Sequence, residues 1–286
     1  MSKAFRWLGY GVGAIAVLVV AAVVLIWALS ERALAERVEP AESRLAAPTP
    51  AQLADGERQL TILGCVSCHG PNLQGKKFVD LPGIATIHAP NIARLAPTMS
   101  DARLDHAIRQ GIGHDGRALF IMPSQQYQFL TDQEVAALIG AIRRLPAVGS
   151  EQPPIKLGPK GRVGVALGKF PNIPSRIAAY RSNALPDLGS ATATGRHLVQ
   201  TRCSDCHGAD LKGQELEPGT VSADLSIVGA YDSEQFRTLL RTGVAPGNKK
   251  LGLMGSVARN DFSHMTDGEI DAVHDYLVAH ANRPEQ

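Results

Sequence analysis

The stretch "CVSCHG", Cys65 to Gly70, recurs as "CSDCHG" from Cys203 to Gly208. These two copies contain all four cysteines of the 286-residue chain, and a histidine follows each pair of cysteines directly. On a helix, positions i, i+3 and i+4 lie on one face. Each Cys-x-x-Cys-His segment is therefore predicted to present two thiols and one imidazole together.

Two thiols at this spacing can form thioethers to the vinyl groups of one haem, while the adjacent imidazole reaches the iron. Two disulfides are an alternative use of four cysteines in an oxidising compartment. A zinc site that pools both pairs is disfavoured, because 138 residues separate the pairs and zinc ligand pairs are usually about 12–20 residues apart. A thioredoxin-like redox pair is disfavoured because neither motif lies in a βαβ pattern. The motifs therefore favour one attached haem at each.

The cysteine motifs belong to a longer repeat. "GERQLTILGCVSCHGPNLQGK" from Gly56 parallels "GRHLVQTRCSDCHGADLKGQ" from Gly195. "MSDARLDHAIRQG" (99–111) parallels "YDSEQFRTLLRTG" (231–243), and "LTDQEVAALIGAIRRL" (130–145) parallels "MTDGEIDAVHDYLVAH" (265–280). The offset between copies is 138 residues at the cysteines, 132 at the middle segments and 135 at the last ones. Loops of different length between helices in the same order indicate a duplicated, mostly helical domain.

Helix starts are marked at equivalent places in both copies. The last segment of each copy carries a capping box, a threonine followed three residues later by a glutamate. The middle segment of each copy begins with polar N-cap candidates and continues with an apolar helical period. The residues are Thr131 with Glu134, Thr266 with Glu269, Ser100 with Asp101, and Asp232 with Ser233.

Leu8 to Leu29 form a stretch of 22 residues without a charge, and about 20 apolar residues span a bilayer as a helix. Basic residues precede the stretch and aromatic residues lie near its ends, as is typical of membrane helices. The positive-inside rule places the N-terminus in the cytoplasm and the rest of the chain outside it. A signal peptide cleaved near Ala33–Ala35 is the alternative, but its apolar region would usually be about 7–15 residues.

Composition divides the chain into five parts. With 29 basic and 27 acidic side chains overall, no nucleic-acid partner is indicated. The linker has six basic residues and one acidic residue, whereas the second domain has nine basic and fourteen acidic ones. The linker is either a strap over an acidic neighbour or a solvated spacer, and its apolar "VGVALGKF" favours the strap. The predicted parts are a membrane anchor (1–30), a stalk (31–50), a first domain (51–148), a Pro/Gly-rich linker (149–186) and a second domain (187–286).

Each copy resembles a class I cytochrome c domain, with Cys-x-x-Cys-His near its start, a middle helix, a methionine-bearing loop and a C-terminal helix. The chain as a whole is similar to membrane-anchored dihaem cytochromes c of bacteria, including cytochrome subunits of exported dehydrogenases. The resemblance covers about two-thirds of the chain. It implies an all-α fold, a transmembrane helix followed by two tandem cytochrome c-like domains, and two covalently attached haem c groups.

In the family, the second axial ligand is a methionine before the last helix. Met122 is the candidate in the first copy, because Met99 directly precedes a helix cap. In the second copy Met254 lies 132 residues after Met122, the offset of the middle segments, whereas Met265 aligns with Leu130. The expected haem-binding residues are Cys65, Cys68, His69, Met122, Cys203, Cys206, His207 and Met254, with His69, Met122, His207 and Met254 as iron ligands.

The other histidines are weaker candidates. His88 and His114, in predicted loops, are the rivals for the first iron. Four more histidines fall in helical stretches without a counterpart in the other copy, which favours surface or packing roles: His106, His197, His274 and His280.

A ligating imidazole normally donates its other N–H to a carbonyl. "LPG" and "EPG" follow the two motifs at similar places. By analogy with the family, the carbonyls of Pro82 and Pro218 are expected to accept these bonds, with a plain turn as the alternative.

Histidine and methionine together fill both axial positions of the iron, so electron transfer is expected and catalysis is not. The resemblance implies a carrier at the outer face of the bacterial inner membrane, with both domains in the periplasm. It would pass electrons from a quinol-oxidising complex or exported dehydrogenase to a soluble cytochrome or terminal oxidase. A haem enzyme (a dihaem peroxidase or sulfur-compound dehydrogenase subunit) and a haem sensor are the alternatives. Both need an iron with an open position.

Overall fold

The computed structural model describes residues 3–217 and 219–283. Helix α1 (Lys3–Leu34) is continuous, and its apolar side chains are exposed over most of its length. Within the described residues it is the one helix long and apolar enough to cross a membrane. Its last turn extends past the apolar stretch and contacts the linker. The all-α prediction, with an apolar N-terminal helix ahead of two helical domains, is confirmed.

The first domain is a small bundle closed by its first and last long helices. Gly56 allows this closure, because a Cβ on Gly56 would lie 2.3 Å from the carbonyl oxygen of Ala137. The core between the helices consists of aliphatic side chains and Tyr127. The helices are α2 (Pro50–Ile62), α3 (Cys65–His69), α4 (Ile92–Leu95), α5 (Asp101–Asp105) with a π-helical turn at His106–Gln110, α6 (Ser124–Tyr127) and α7 (Asp132–Arg144).

A β-hairpin follows α3, formed by β1 (Lys76–Leu81) and β2 (Ala85–Ala89). Its turn has proline at the second position and Gly83 (φ +74°) at the third, the signature of type II. The N–H of Ile84 closes the turn on the carbonyl of Leu81 at 3.0 Å. The sequence pattern predicts no strand here. Because β1 is exposed on both faces, its sequence has no apolar alternation to reveal it.

The segment before α2 lies along the first domain. The N–H of Val38 donates to the carbonyl of Gly116 at 3.1 Å, and the N–H of Ala118 donates to the carbonyl of Glu36 at 3.1 Å. The guanidinium of Arg37 donates to the carbonyl of Asp115 at 2.6 Å. These bonds tie residues 36–38, in the predicted stalk, to the domain surface.

The linker is an ordered strap that lies mainly over the first domain and α1. It contains β3 (Lys156–Leu157), which pairs with β2, and two helices, α8 (Pro159–Ala166) and α9 (Ile173–Ser182). Helix α8 packs on α1, and α9 packs on α6. Toward the second domain, the hydroxyl of Tyr180 donates to the carbonyl of Ser204 at 3.0 Å.

The second domain repeats the first. Its opening glycine, Gly195, is packed even more tightly, since a Cβ there would lie 1.9 Å from the carbonyl oxygen of Ala272. Two short strand pairs and three short 3-10 turns complete the loops of its described part, and the helices enclose one apolar core. The elements are α10 (Ala193–Arg202), α11 (Ser204–His207), β4 (Glu215–Glu217), β5 (Thr220–Val221), α12 (Ser233–Thr242), β6 (Val244–Ala245), β7 (Lys249–Lys250), α13 (Leu253–Asn260) and α14 (Asp267–Ala281).

The predicted helix starts are confirmed at all four places. Thr131 and Thr266 are the N-caps of α7 and α14, and each forms a complete capping box with its glutamate. Ser100 and Asp232 are the N-caps of α5 and α12. Equivalent caps therefore hold equivalent helices in the two domains.

Candidate functional site

Each Cys-x-x-Cys-His motif forms a single helical turn at the end of a longer helix. In α3 and α11 the motif ends at a glycine with φ +84°, Gly70 and Gly208. The left-handed conformation reverses the chain immediately after the histidine, which glycine permits at no steric cost. All four cysteines are free thiols and partly buried. The two motifs therefore have the same local structure.

Both motif histidines are oriented by a backbone carbonyl. The Nδ1 of His69 lies 2.9 Å from the carbonyl oxygen of Pro90, and the Nδ1 of His207 lies 2.7 Å from that of Ala223. A carbonyl only accepts, so Nδ1 carries the proton and Nε2 keeps a lone pair. Burial lowers the pKa of both imidazoles, and the hydrogen bonds oppose this only in part. Both rings are thus neutral near pH 7, the form that binds a metal.

These acceptors differ from the expected prolines. The expectation for His69 was wrong. Pro82 lies in the turn at the tip of the β1–β2 hairpin, and the carbonyl that His69 contacts belongs to Pro90, directly after β2. Pro218 lies outside the described residues. Each observed acceptor directly precedes a polar residue that caps the next helical turn, Asn91 or Asp224. That cap is the signal in the sequence that identifies the acceptor.

The four thiols are poorly suited to thiolate chemistry. Burial raises the pKa of Cys65 and Cys203 to about 12, and that of Cys68 and Cys206 to about 11. Redox cysteines in Cys-x-x-Cys motifs instead have a lowered pKa. Among the described residues, no cluster of three or more His, Cys, Asp or Glu side chains is arranged to hold a metal ion. The thioredoxin-like and pooled-zinc interpretations therefore find no support.

Each candidate methionine packs against the same apolar core as a motif cysteine. Met122 is half-buried against the first core together with Cys65, and Met254 is half-buried against the second core together with Cys203. Met265 differs, because only 4% of it is exposed and it belongs to the second core itself. It precedes the N-cap of α14, the position at which an apolar residue anchors a helix start.

Of the remaining rival ligands, Met99 shares the setting of Met122, and the two histidines do not. Met99 also packs at the edge of the first core, directly before the cap of α5. His88 lies in β2, and the side chain of His114 is exposed.

The two motifs meet across the contact between the domains. Ser67, the third residue of the first motif, donates from its hydroxyl to the carboxylate of Asp261 at 2.5 Å. The third residue of the second motif, Asp205, donates from its backbone N–H to the side-chain oxygen of Gln126 at 3.2 Å. The side-chain amide of Gln125 also donates to the Asp205 carboxylate. Each motif thus contacts the segment after the candidate methionine of the other domain.

A second set of contacts also joins equivalent residues of one domain to the other domain. Arg58 of α2 pairs with Glu269 of α14 through two N–O contacts of 2.6 and 2.9 Å. His197 of α10 lies 2.9 Å from both carboxylate oxygens of Glu134 in α7. Arg58 and His197 occupy equivalent positions, two residues after the packed glycine of each domain, and both glutamates complete capping boxes. Equivalent residues that exchange partners define an approximate two-fold axis between the domains.

These observations show that the residues fit a haem at each motif. Two unpaired thiols, a neutral imidazole with a free Nε2 and a half-buried thioether lie around one apolar cluster in each domain. A c-type haem bound there supplies an iron that alternates between the ferric and ferrous states.

Comparison with known proteins gives the same assignment. The family model described as Cytochrome c matches residues 53–145 and 192–281. Similar proteins include the fructose dehydrogenase cytochrome subunit of Gluconobacter japonicus, 24% identical over 278 residues that cover 84% of this chain and 55% of that protein. The alcohol dehydrogenase (quinone) cytochrome c subunit of Komagataeibacter europaeus is 25% identical over 282 residues, covering 82% of this chain and 59% of that protein.

The chain therefore spans less than two thirds of the length of these relatives. The two family matches enclose both Cys-x-x-Cys-His motifs and together cover more than half of the sequence. The chain belongs to the cytochrome c family.

Proposed function

We propose that each domain holds one haem c and that the two haems carry electrons through the molecule. Thioethers from Cys65 and Cys68 attach the first haem, and thioethers from Cys203 and Cys206 attach the second. The axial ligands are His69 with Met122 in the first domain and His207 with Met254 in the second. The oriented imidazoles and the half-buried methionines described above support this ligand set.

The protein's contribution is to fix the ligands and to exclude water. The Pro90 and Ala223 carbonyls hold the two imidazole rings in one tautomer and one orientation, which also raises their basicity as ligands. Leu73 and Leu211, each 1% exposed, close the loop after each motif against its core. Ligands held in place need little rearrangement when the iron changes charge, which favours rapid electron transfer.

The exchange of contacts around Ser67 and Asp205 carries the proposal that the two haems act together. Attachment at motifs on opposite sides of one interface would place both haems near that interface. The contacts of Ser67, Asp205, Arg58 and His197 with the opposite domain would hold the distance between the two haems constant. Electrons would then pass between the domains inside one chain, and each domain would present its outer surface to a different partner.

Helix α1 would anchor the molecule in the bacterial inner membrane, with its N-terminus in the cytoplasm and both domains in the periplasm. A cleaved leader is disfavoured, because Ser30, just before the possible cleavage segment, is fully buried against α8. The relatives are cytochrome subunits of dehydrogenases. We infer that the electron donor is an exported dehydrogenase or a quinol-oxidising complex, and that the acceptor is a soluble cytochrome or a terminal oxidase.

The test uses the full chain purified in mild detergent from a cell that attaches haem c. We expect two haems per chain by mass and by haem absorbance, and a redox titration with two one-electron components. Carbon monoxide should not bind the reduced protein, because both axial positions are filled.

One haem per chain, or none, would overturn the proposal. Stoichiometric binding of carbon monoxide at one iron would replace the carrier by a haem enzyme or a sensor. Proteins that co-purify in the mild detergent would identify the donor or the acceptor.

A further inference from the structure

Helix α8 is fixed to the end of the apolar stretch of α1. The guanidinium of Arg162 lies 5.6 Å from the centroid of the Trp27 ring and donates to the hydroxyl of Ser30 at 2.8 Å. It also pairs with Glu31 at 2.8 Å. Four interacting groups therefore hold the middle of α8 beside the last two turns of α1.

This contact sets the depth of α8 relative to a bilayer. The apolar stretch from Leu8 to Leu29 is 22 residues long, so as a helix it measures about 33 Å, close to the roughly 30 Å of a hydrocarbon core. Trp27 lies at the outer end of that stretch, where tryptophan is enriched in membrane helices. Because Arg162 contacts Trp27, α8 lies at the depth of the lipid headgroups.

The free face of α8 and the turn after it present exposed apolar and basic side chains. Lys160, Val163 and Leu167 follow one another at i, i+3 and i+7 and share a face. Val163 is 38% exposed and Leu167 is 67% exposed, while Val165 on the opposite face is buried. A single exposed leucine needs no explanation. Exposed apolar side chains flanked by lysines at headgroup depth can contact acyl chains while the lysines reach anionic headgroups.

We propose that α8 and the turn after it, residues 159–169, form a lipid-contacting surface. Val163 and Leu167 enter the boundary between headgroups and acyl chains of the outer leaflet. Lys160 and Lys169, both exposed, bind the phosphates of anionic phospholipids. The occupant is the membrane that holds α1, because the surface continues directly from the membrane-spanning helix. This inference rests on the proposed anchoring of α1.

The surface has a consequence for the haem domains. A single helix leaves a domain free to rotate and tilt about its anchor. A second contact beside the anchor, joined to the first domain through β3 and Gly161, removes that freedom. Gly161 is seated so closely that a Cβ on it would lie 2.1 Å from the carbonyl oxygen of Ile84. The first domain would therefore keep one orientation toward the membrane.

The test is photo-crosslinking from single cysteines in the full holoprotein, whose four native thiols are consumed by the thioethers. The variants are Leu167→Cys, Val19→Cys in the middle of α1, and Val221→Cys as the matched control. Val221 is an exposed aliphatic residue of the second domain, with 71% of its surface exposed. Each cysteine is labelled with a benzophenone maleimide, and the protein is reconstituted into vesicles of phosphatidylglycerol and phosphatidylethanolamine. Adducts are identified by mass spectrometry after irradiation.

We expect lipid adducts from positions 19 and 167, and none from position 221. Lipid adducts at 19 with none at 167 would overturn the lipid-contacting surface and leave the anchor intact. Adducts between position 167 and another protein chain would also overturn it, since a partner would then cover the face. An absence of lipid adducts at 19 would overturn the anchor itself, and the surface with it.

Discussion

At the scale of single residues, the two methionines of the second domain occupy different surroundings, and Met254 is the one that we propose as an iron ligand. Met254 is half-buried against the second core, as Cys203 is, whereas Met265 lies within that core and precedes a helix cap. Their side chains are chemically identical. Only the surroundings distinguish them, so substitutions at the two positions should have different consequences.

The first prediction concerns this pair. We expect Met254→Ala to open one axial position, so that the reduced protein binds one carbon monoxide per chain where the parent binds none. The reduction potential of the second haem should fall as well, because the thioether ligand favours the ferrous state. Met265→Leu, the control, should bind no carbon monoxide and keep both potentials. Carbon monoxide binding to Met265→Leu instead of Met254→Ala would reverse the ligand assignment.

The packed glycines provide the second prediction. Gly195→Ala places a Cβ 1.9 Å from the carbonyl oxygen of Ala272, and forced overpacking of this kind typically costs about 1–3 kcal/mol. Gly268→Ala, in α14 of the same domain, meets nothing within 4 Å and should stabilise the helix by about 0.5–1 kcal/mol. Guanidinium unfolding midpoints of the two holoproteins measure the difference. Equal midpoints would show that α10 and α14 can separate without cost.

At the scale of elements, Glu134 and Glu269 each have two roles. Each glutamate completes the capping box of its own helix and also pairs with a side chain of the other domain. Burial opposes ionisation of Glu269, but the hydrogen bonds from Arg58 and Thr266 outweigh it and lower the pKa to about 2 from an ordinary 4.5. Burial opposes ionisation of Glu134 as well, and the bonds from His197 and Thr131 lower its pKa to about 2. Both glutamates are therefore ionised throughout the neutral range.

The third prediction follows from the sign of this shift. A carboxylate with a lowered pKa contributes stability above its ordinary pKa of 4.5, and this contribution disappears as the pH falls toward about 2. Glu269→Gln can still cap α14 but carries no charge. We expect the parent to be more stable than this variant at pH 6, with the difference in unfolding midpoint shrinking between pH 4.5 and 2.

The control for this prediction is Glu57→Gln. Glu57 pairs with Arg144 at 3.1 Å where both side chains are more than half exposed, and exposed pairs contribute little stability. The Glu57 variant should match the parent at every pH. A difference for Glu269→Gln that stayed constant down to pH 2 would show that its charge plays no part in the interface.

The elements also show what the sequence could and could not reveal. Capping boxes and apolar periods are local patterns, so the starts of α7 and α14 could be predicted from a few adjacent residues. The β1–β2 hairpin could not, because its first strand faces solvent on both sides. The domain contact could not either. Arg58 and Glu269 are 211 residues apart, and no pattern along the chain pairs them before the fold is known.

The candidate site also has parts that the sequence reveals and parts that it does not. The cysteines and histidines stand in a contiguous motif, and the repeat offset predicts Met254 rather than Met265 as the ligand of the second iron. The carbonyls of Pro90 and Ala223 were missed, because a backbone acceptor is marked in the sequence only indirectly, by the polar N-cap residue that follows it. The length of the loop that leads to each carbonyl also differs between the domains.

At the scale of the whole molecule, charge is distributed unequally. The first domain carries nine basic and eight acidic residues, and the strap over it adds six basic residues and one acidic residue. The second domain carries nine basic and fourteen acidic residues. The half that adjoins α1 is therefore basic, and the other half is acidic.

The fourth prediction is a salt dependence of electron exchange. An acidic surface attracts basic partners, and salt screens that attraction with a Debye length of about 10 Å at 0.1 M. We expect the second-order rate of electron exchange with a basic soluble cytochrome to fall as ionic strength rises. With an acidic cytochrome the rate should stay level or rise. Stopped-flow measurements on the holoprotein test this prediction. Rates of electron exchange that do not change with ionic strength for either partner would refute it.

The exchanged contacts between the domains also bear on the origin of the chain. A surface that meets an equivalent copy of itself is what a symmetric homodimer of one-haem subunits would use. Joining two such subunits in a single polypeptide fixes their stoichiometry and lets each half change separately. Arg58 in one half and His197 in the other show that divergence, because different side chains at equivalent positions now pair with the equivalent glutamates Glu269 and Glu134.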